Sequence, residues 1–269
     1  MTALAHKKGA NTLRQAFSQK YHVMTAVVLR DIRTRFFNHG LGFFVTSLWP
    51  LVHMLVLLAI YNFTGRRAPY GESLNVFFAT GLVPTLLFSY VSRYMAVSVV
   101  NNRQMMSFPI VRLLDIVFAR AYLEAIGGIL TLVFMIGVLL VLGDDPWPSD
   151  VQSAVSAYLA ALFLGLGAGV LVASLAVISP FFTIAWIIIC LVLYIGSGTL
   201  FVVSKLPEQV AYALSWNPVL HCVEWMRTAY YPTYSDKVLD KAYVLWTGLG
   251  FLFCGLGFER VARRRLMDG

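Results

Sequence analysis

WIIICLVL, Trp186–Leu193, is an unbroken apolar run inside a longer apolar block, 183–203. A membrane barrel strand alternates polar and apolar residues, and this run does not. LVHMLVLLAI, Leu51–Ile60, does not alternate either. Working outward, blocks of this kind lie at 41–63, 74–99, 115–142, 152–178, 183–203 and 241–258. Each is about the 20 residues that a helix needs to cross a bilayer. Every backbone polar group inside a membrane needs a partner, so these blocks predict helices. Composition agrees: 59% of the 269 residues are hydrophobic and 13% are charged, about half the charged share of an ordinary soluble domain. The expected fold is all-α: a polytopic membrane protein with six transmembrane helices.

Lys and Arg placement predicts the orientation. Residues 1–40 carry Lys7, Lys8, Arg14, Lys20, Arg30, Arg33 and Arg35, and the tail carries Arg260, Arg263, Arg264 and Arg265. Six spans put both ends on one side, and both ends are basic, so both are expected in the cytoplasm. The loop 143–151 has Asp144, Asp145 and Asp150 and no Lys or Arg, as an outer loop should. Arg66 and Arg67 in the loop 64–73 are a small exception. Attraction to anionic lipid accounts for the net charge of +8 without invoking nucleic acid. The first apolar block follows a polar, basic leader without a small-residue cleavage site, so no cleaved signal is expected. Cys190, Cys222 and Cys254 lie far apart, which predicts neither a disulfide framework nor a metal site.

Residues 1–20 read as a flexible cytoplasmic leader and 21–38 as an amphipathic helix in the membrane interface, ahead of the six-helix domain 39–269. Met24, Val28, Ile32 and Phe36 recur every four residues on one face, while Arg30, Asp31, Arg33 and Arg35 occupy the rest. The cytoplasmic loop 100–114 holds a short helical stretch that ends before Pro109. The segment 204–240 lies outside, yet is rich in apolar and aromatic residues. Asn217–Pro218 is a helix start, a capping side chain followed by Pro at the first helical position. Val219, Cys222, Val223, Met226 and Tyr230 then share one face, and His221, Glu224 and Arg227 another. Short periplasmic helices before the last span are the expectation.

No GxxxxGK[ST] occurs, so ATP phosphates have no such cradle here. HExxH and GxSxG are missing too. Charged residues inside spans are costly and are functional candidates by default. Arg120 and Glu124, four apart, predict an internal ion pair. Arg93, flanked by Tyr90 and Tyr94, either snorkels or lines a polar path. His53 reads as a hydrogen-bonded packing residue. Gly165, Gly167 and Gly169 form a small-residue strip of the kind found where helices touch.

Three stretches resemble one family: LRDIRTRFFNHGLGFFVTSLWPLVH (Leu29–His53), FARAYLEAI (Phe118–Ile126) and WNPVLHCVEWMRTAYYPTYS (Trp216–Ser235). They look like the permease subunit of ABC-2 type exporters of surface polysaccharides, and most like the capsular polysaccharide export group. Trp49 departs from the family's usual acidic residue before the Pro, so no charge-based role is carried to that position.

The resemblance implies a homodimer of this chain with two copies of a cytoplasmic ATP-binding subunit. That partner binds ATP and Mg; this chain is no enzyme and carries no cofactor. Hydrolysis moves a lipid-linked polysaccharide from cytoplasm to periplasm across the bacterial inner membrane. Periplasmic and outer-membrane components take it onward. Asn101, Asn102, Arg103, Gln104, Met105, Met106, Ser107, Phe108 and Pro109 become the coupling loop to the ATPase. Arg30, Arg33, Arg35 and Phe36 belong to the interfacial gate helix. Trp216, His221, Glu224 and Arg227 belong to a periplasmic cap over the exit. Trp49, Tyr61, Arg93 and Tyr194 are the candidates for channel or polysaccharide contact. Within this class, an O-antigen or teichoic-acid exporter is the near alternative. A secondary transporter is the distant one, but it would show midplane acids in inverted repeats, and Glu124 is the one strong in-span carboxylate.

Overall fold

The computed structural model describes residues 2–35, 48–65, 67–108 and 110–268, and the side-chain surroundings of 15, 18–33, 48–65, 67–108 and 110–261. Phe36, Arg66 and Pro109 lie outside the described residues, as does the start of the first apolar block, 41–47. The elements are α1 (Thr2–Arg35), α2 (Trp49–Phe63), α3 (Leu74–Asn101), a 3-10 turn (Arg103–Ser107), α4 (Leu113–Val141), α5 (Val151–Ile178), α6 (Phe181–Ile195), α7 (Glu208–Ser215), α8 (Pro218–Tyr230) and α9 (Lys241–Asp268). A second 3-10 turn, Val203–Lys205, precedes α7. The described residues contain no strand.

Among the described residues, four helices are long and apolar enough to cross a membrane: α3, α4, α5 and the Lys241–Val261 part of α9. The apolar helices α2 and α6 are shorter, at 15 residues each, or about 22 Å at 1.5 Å per residue. Among the described residues, four of the six expected blocks hold helices of spanning length and two hold shorter ones. For α6 the cause is visible. The apolar block continues to 203, but the helix stops at Ile195 and turns through Gly196–Ser197–Gly198. Gly198 sits at φ +76°, which an L side chain disfavours.

Helix α3 lies at the centre and is buried along most of its length, including Phe77, Phe78, Leu82, Phe88 and Met95. Helix α5 packs against α3 on one side and α9 on the other. The predicted glycine strip makes both contacts. A Cβ on Gly165 would stand 3.2 Å from the Phe88 carbonyl oxygen, and one on Gly169 would stand 2.5 Å from Met95 Sδ. One on Gly167 would collide with the Gly248 carbonyl of α9. Ser174 donates to the Gly255 carbonyl across the same seam, at 3.0 Å. Backbone contact between small residues replaces the hydrophobic drive that lipid does not supply.

The helix α1 runs unbroken from Thr2 to Arg35, so no break marks the boundary expected at residue 20. Its buried face also differs from the expected one. Val27 and Asp31 are 1% and 2% exposed, while Val28 and Ile32 are half-buried. The helix is turned so that a carboxylate, not only apolar residues, meets the bundle.

Candidate functional site

The sequence-level candidates fall at three places. The first is the end of the bundle where α3 finishes. Asn102 caps α3 by donating from Nδ2 to the Ser98 carbonyl, 2.9 Å, and the 3-10 turn follows. Met105 and Met106 are half-buried, whereas Arg103, Gln104, Ser107 and Phe108 are exposed. Phe108 is 61% exposed, a large apolar group at the tip of a polar turn. A groove lies between this loop and α1, lined by Gln19, His22, Val23, Met105, Ile110 and Val111 among others.

Helix α1 is fastened beside that turn by charge. Lys20 Nζ contacts both oxygens of Asp115, at 2.5 and 2.7 Å. Asp115 also accepts from the Arg112 backbone N–H, 2.9 Å, closing the first turn of α4. One α1 face carries Lys20, Val27 and Asp31, spaced seven and four residues apart on one side of a helix. Asp31 accepts from Asn102 Nδ2 at 3.4 Å and stands 3.7 Å from Arg120 Nη1. Arg120 also pairs with Glu124 one turn along α4 and lies over the Tyr94 ring, 4.8 Å from its centroid. The predicted Arg120–Glu124 pair is present. Asp31, which the sequence placed on a solvated basic face, completes it. Arg30 is half-buried and Arg33 exposed.

The second place is a cavity of about 140 Å3 among α2, α3, α4 and α5. Pro50, Tyr90, Tyr94, Arg120, Glu124 and Tyr158 are among its lining residues. None of the four expected contact residues lines it. Trp49 is 63% exposed and faces outward. Tyr61 stacks on Phe78, 4.6 Å between ring centroids. Arg93 is half-buried on α3. Tyr194 of α6 meets His53 edge to face at 5.8 Å, and His53 itself is exposed rather than packed inside. So the structure pairs Tyr194 with α2 but does not gather the four into one surface. The Tyr158 hydroxyl was missed by the sequence reading, because a Tyr at 158 in an apolar block carries no local signal.

The third place is α8 and the loop that meets it. Asn217 caps the helix as expected, accepting from Val219 N at 3.0 Å, and its Nδ2 donates to the Leu193 carbonyl at 2.8 Å. The helix is not amphipathic in its setting, because it packs against α3, α5 and α9. His221, Glu224 and Arg227, expected on a polar outer face, are 2%, 0% and 0% exposed, and only Trp216 stays largely open. Arg227 donates to the carbonyl oxygens of Thr199 at 3.0 Å and Phe201 at 2.9 Å, the two carbonyls that the turn after α6 frees. It also lies 4.0 Å from the Phe77 ring centroid. Glu224 stands 3.7 Å from Arg227 Nη1 and accepts from the Tyr234 hydroxyl at 2.8 Å. Burial raises the Glu224 carboxyl above its ordinary value, and the Arg227 charge and the Tyr234 hydrogen bond pull it back. His221 accepts from Asp240 N at Nδ1, 3.1 Å, so its proton sits on Nε2, which reaches the Ser215 carbonyl at 2.7 Å. His221 and Arg227 are thus tied to backbone carbonyls, and Glu224 to the side chains of Tyr234 and Arg227: the segment is a buried plug. Burial pushes the Cys222 thiol up to about 12, so it is held as a packed, unreactive group. Among the described residues no cluster of His, Cys, Asp or Glu has the makings of a metal site.

No family model matches the chain. Three curated proteins are similar to it over most of their length. The polysialic acid transport protein KpsM of Escherichia coli is 27% identical over 254 residues, 94% of this chain and 98% of that protein. The capsule polysaccharide export inner-membrane protein CtrC of Neisseria meningitidis serogroup A is 26% identical over 234 residues, covering 87% and 88% of the two chains. The capsule polysaccharide export inner-membrane protein BexB of Haemophilus influenzae is 26% identical over 243 residues, covering 90% and 88%.

Proposed function

We propose that this chain is the transmembrane permease subunit of an ABC exporter that moves lipid-linked capsular polysaccharide from cytoplasm to periplasm. One observation carries the reading: the similarity to a polysialic acid transport protein spans 94% of this chain and 98% of that one. It therefore extends over the whole succession of helices and loops, not over one transferable segment.

The energy comes from outside the chain. The sequence has no Gly-rich phosphate loop, so ATP and Mg belong to a separate cytoplasmic ATPase subunit, present in two copies with two copies of this chain. The turn Asn101–Pro109 is its contact. An exposed Phe108, with an exposed Ile110 two residues on, supports that role, since such side chains seat in a partner's groove. Six spans run between cytoplasmic ends, counting α2 and α6 together with the four long helices. The basic helix α1 lies against anionic lipid and frames the gate by which the glycolipid enters. On this orientation α8 is at the periplasmic side, where its backbone-anchored plug caps the exit. The dimer supplies the width that six spans in one copy lack. Periplasmic and outer-membrane components receive the polymer.

Deleting the gene in its source organism and fractionating long-chain polysaccharide tests the proposal. Polymer trapped inside the cell with an empty surface is the expected result. Normal surface polymer would reject the export reading.

A further inference from the structure

The cavity among α2, α3, α4 and α5 contains polar groups that the protein does not satisfy. Arg120 is 5% exposed; its Nη1 faces Asp31 Oδ2 at 3.7 Å, but its Nε has no hydrogen-bond partner. The Tyr158 hydroxyl, from α5, is buried and equally without a partner. Both residues line the cavity. A buried polar group left unmade costs about 1–3 kcal/mol. Two such groups facing one space call for something to bind there.

Charge narrows what that is. Glu124 already pairs with Arg120, and Asp31 stands 3.7 Å from the same guanidinium. A phosphate or carboxylate would meet two carboxylates around one cation. An ammonium would meet the guanidinium. A hydroxyl has neither penalty: its oxygen accepts from Arg120 Nε–H, and its proton goes to the Tyr158 oxygen. Tyr90 and Tyr94, also lining the space, have ring centroids 5.7 Å apart and planes tilted by 34°. They offer adjacent aromatic faces against which the C–H side of a saccharide ring packs. The volume of about 140 Å3 is many times the roughly 10–15 Å3 that one water needs on the same measure, so a ring has room.

We propose that this cavity is a binding site for a neutral, hydroxyl-rich ring, one saccharide unit of the exported cargo, held by Arg120 and Tyr158. The proposal rests on the export reading and deepens it. Deletion of the gene tests that reading by itself, so the two fail separately.

Tyr158→Phe is the direct test, because the hydroxyl it removes makes no hydrogen bond within the protein. The expected result is at least a threefold fall in surface polymer, with unchanged amounts of the protein in the membrane and an unchanged Tm. Gly128→Ala fills the same space, since its Cβ would stand 2.5 Å from Leu87 Cδ1 and 2.9 Å from the Tyr158 oxygen. It should lower export as well. Photoreactive p-benzoylphenylalanine at Leu132, another lining residue, reads the occupant in exporting cells. A saccharide-bearing adduct, lost in the Tyr158→Phe background, is expected. Full export by Tyr158→Phe, or an adduct with phospholipid alone, would overturn the site while leaving the exporter reading standing.

Discussion

Asp31 on α1 and Arg120 on α4 meet at 3.7 Å, both at most 5% exposed. The same carboxylate takes a hydrogen bond from Asn102, the residue that caps α3 and opens the 103–107 turn. One buried aspartate therefore touches the loop end of α3 and the charged wall of the cavity together. Movement of the turn has a short physical route to Arg120.

Asp31→Ala should break that route. Arg120 keeps Glu124 when Asp31 is removed, so the cost stays below the about 3–5 kcal/mol of a buried charge left with no partner. The expected outcome is a lower Tm for the purified protein and easier proteolytic removal of α1. Asp31→Asn keeps an oxygen for the Asn102 hydrogen bond and should retain part of the stability while export falls. An Asp31→Ala protein with wild-type Tm would refute the docking role.

Phe108→Asp should abolish export without affecting insertion. Its ring is 61% exposed, so the substitution empties no core space and leaves folding intact. The measurement is surface polymer against the amount of protein in the membrane. Normal export by this variant would exclude the 101–109 turn as the coupling contact.

Gly167→Val should destabilise strongly, because its Cβ would collide with the Gly248 backbone, which cannot rotate away. Overpacking of this kind costs about 1–3 kcal/mol, and more where backbone must move. A Cβ added at Gly137, on α4, would meet nothing within 4 Å. Gly137→Ala is therefore the control and should leave Tm unchanged or raise it, helix propensity favouring Ala by up to ~1 kcal/mol. Equal Tm values for the two variants would mean that the α5–α9 seam is not tight.

Glu224 gives stability a pH dependence. Its carboxyl is raised in the folded protein, chiefly by burial. The folded state then binds the proton more tightly than the unfolded state, so the stabilisation is greatest below the ordinary value of 4.5 and is lost as pH rises through the folded value. Tm should fall as pH is raised across that window, and Glu224→Gln should flatten the change. A Glu224→Gln protein with the same slope would assign the dependence to another group. Arg227→Lys is the companion variant. A single ammonium cannot reach the Thr199 and Phe201 carbonyls as the guanidinium fork does, so Tm should drop at every pH.

Much of this site was visible in the order of residues. Arg120 and Glu124 stood out because two charges, one helical turn apart, interrupt an apolar block. Asn217–Pro218 announced a helix start through capping chemistry alone. Both signals are local, and both are present in the structure. Asp31 gave a misleading one: a lone acid among Arg30, Arg33 and Arg35 reads as part of a solvated face, and only its distant neighbours Asn102 and Arg120 reveal that it is buried. Tyr158 gave none, because an unpartnered hydroxyl is defined by what surrounds it.

The sequence by itself determined the membrane class, the helical fold, the glycine seam and the absence of a phosphate-cradling motif. Those follow from composition, run length and spacing, which act over one or two helical turns. Tertiary structure alone decided that α1 docks through Lys20 and Asp31, that α6 ends at Ile195, and that α8 is buried on every side. Each of these depends on a partner far along the chain: Asp115 and Arg120 for α1, Arg227 for the carbonyls beyond α6, and α3, α5 and α9 for α8. A polar residue in an apolar chain is costly wherever it lies, and only the packed bundle supplies the partner that makes its position stable.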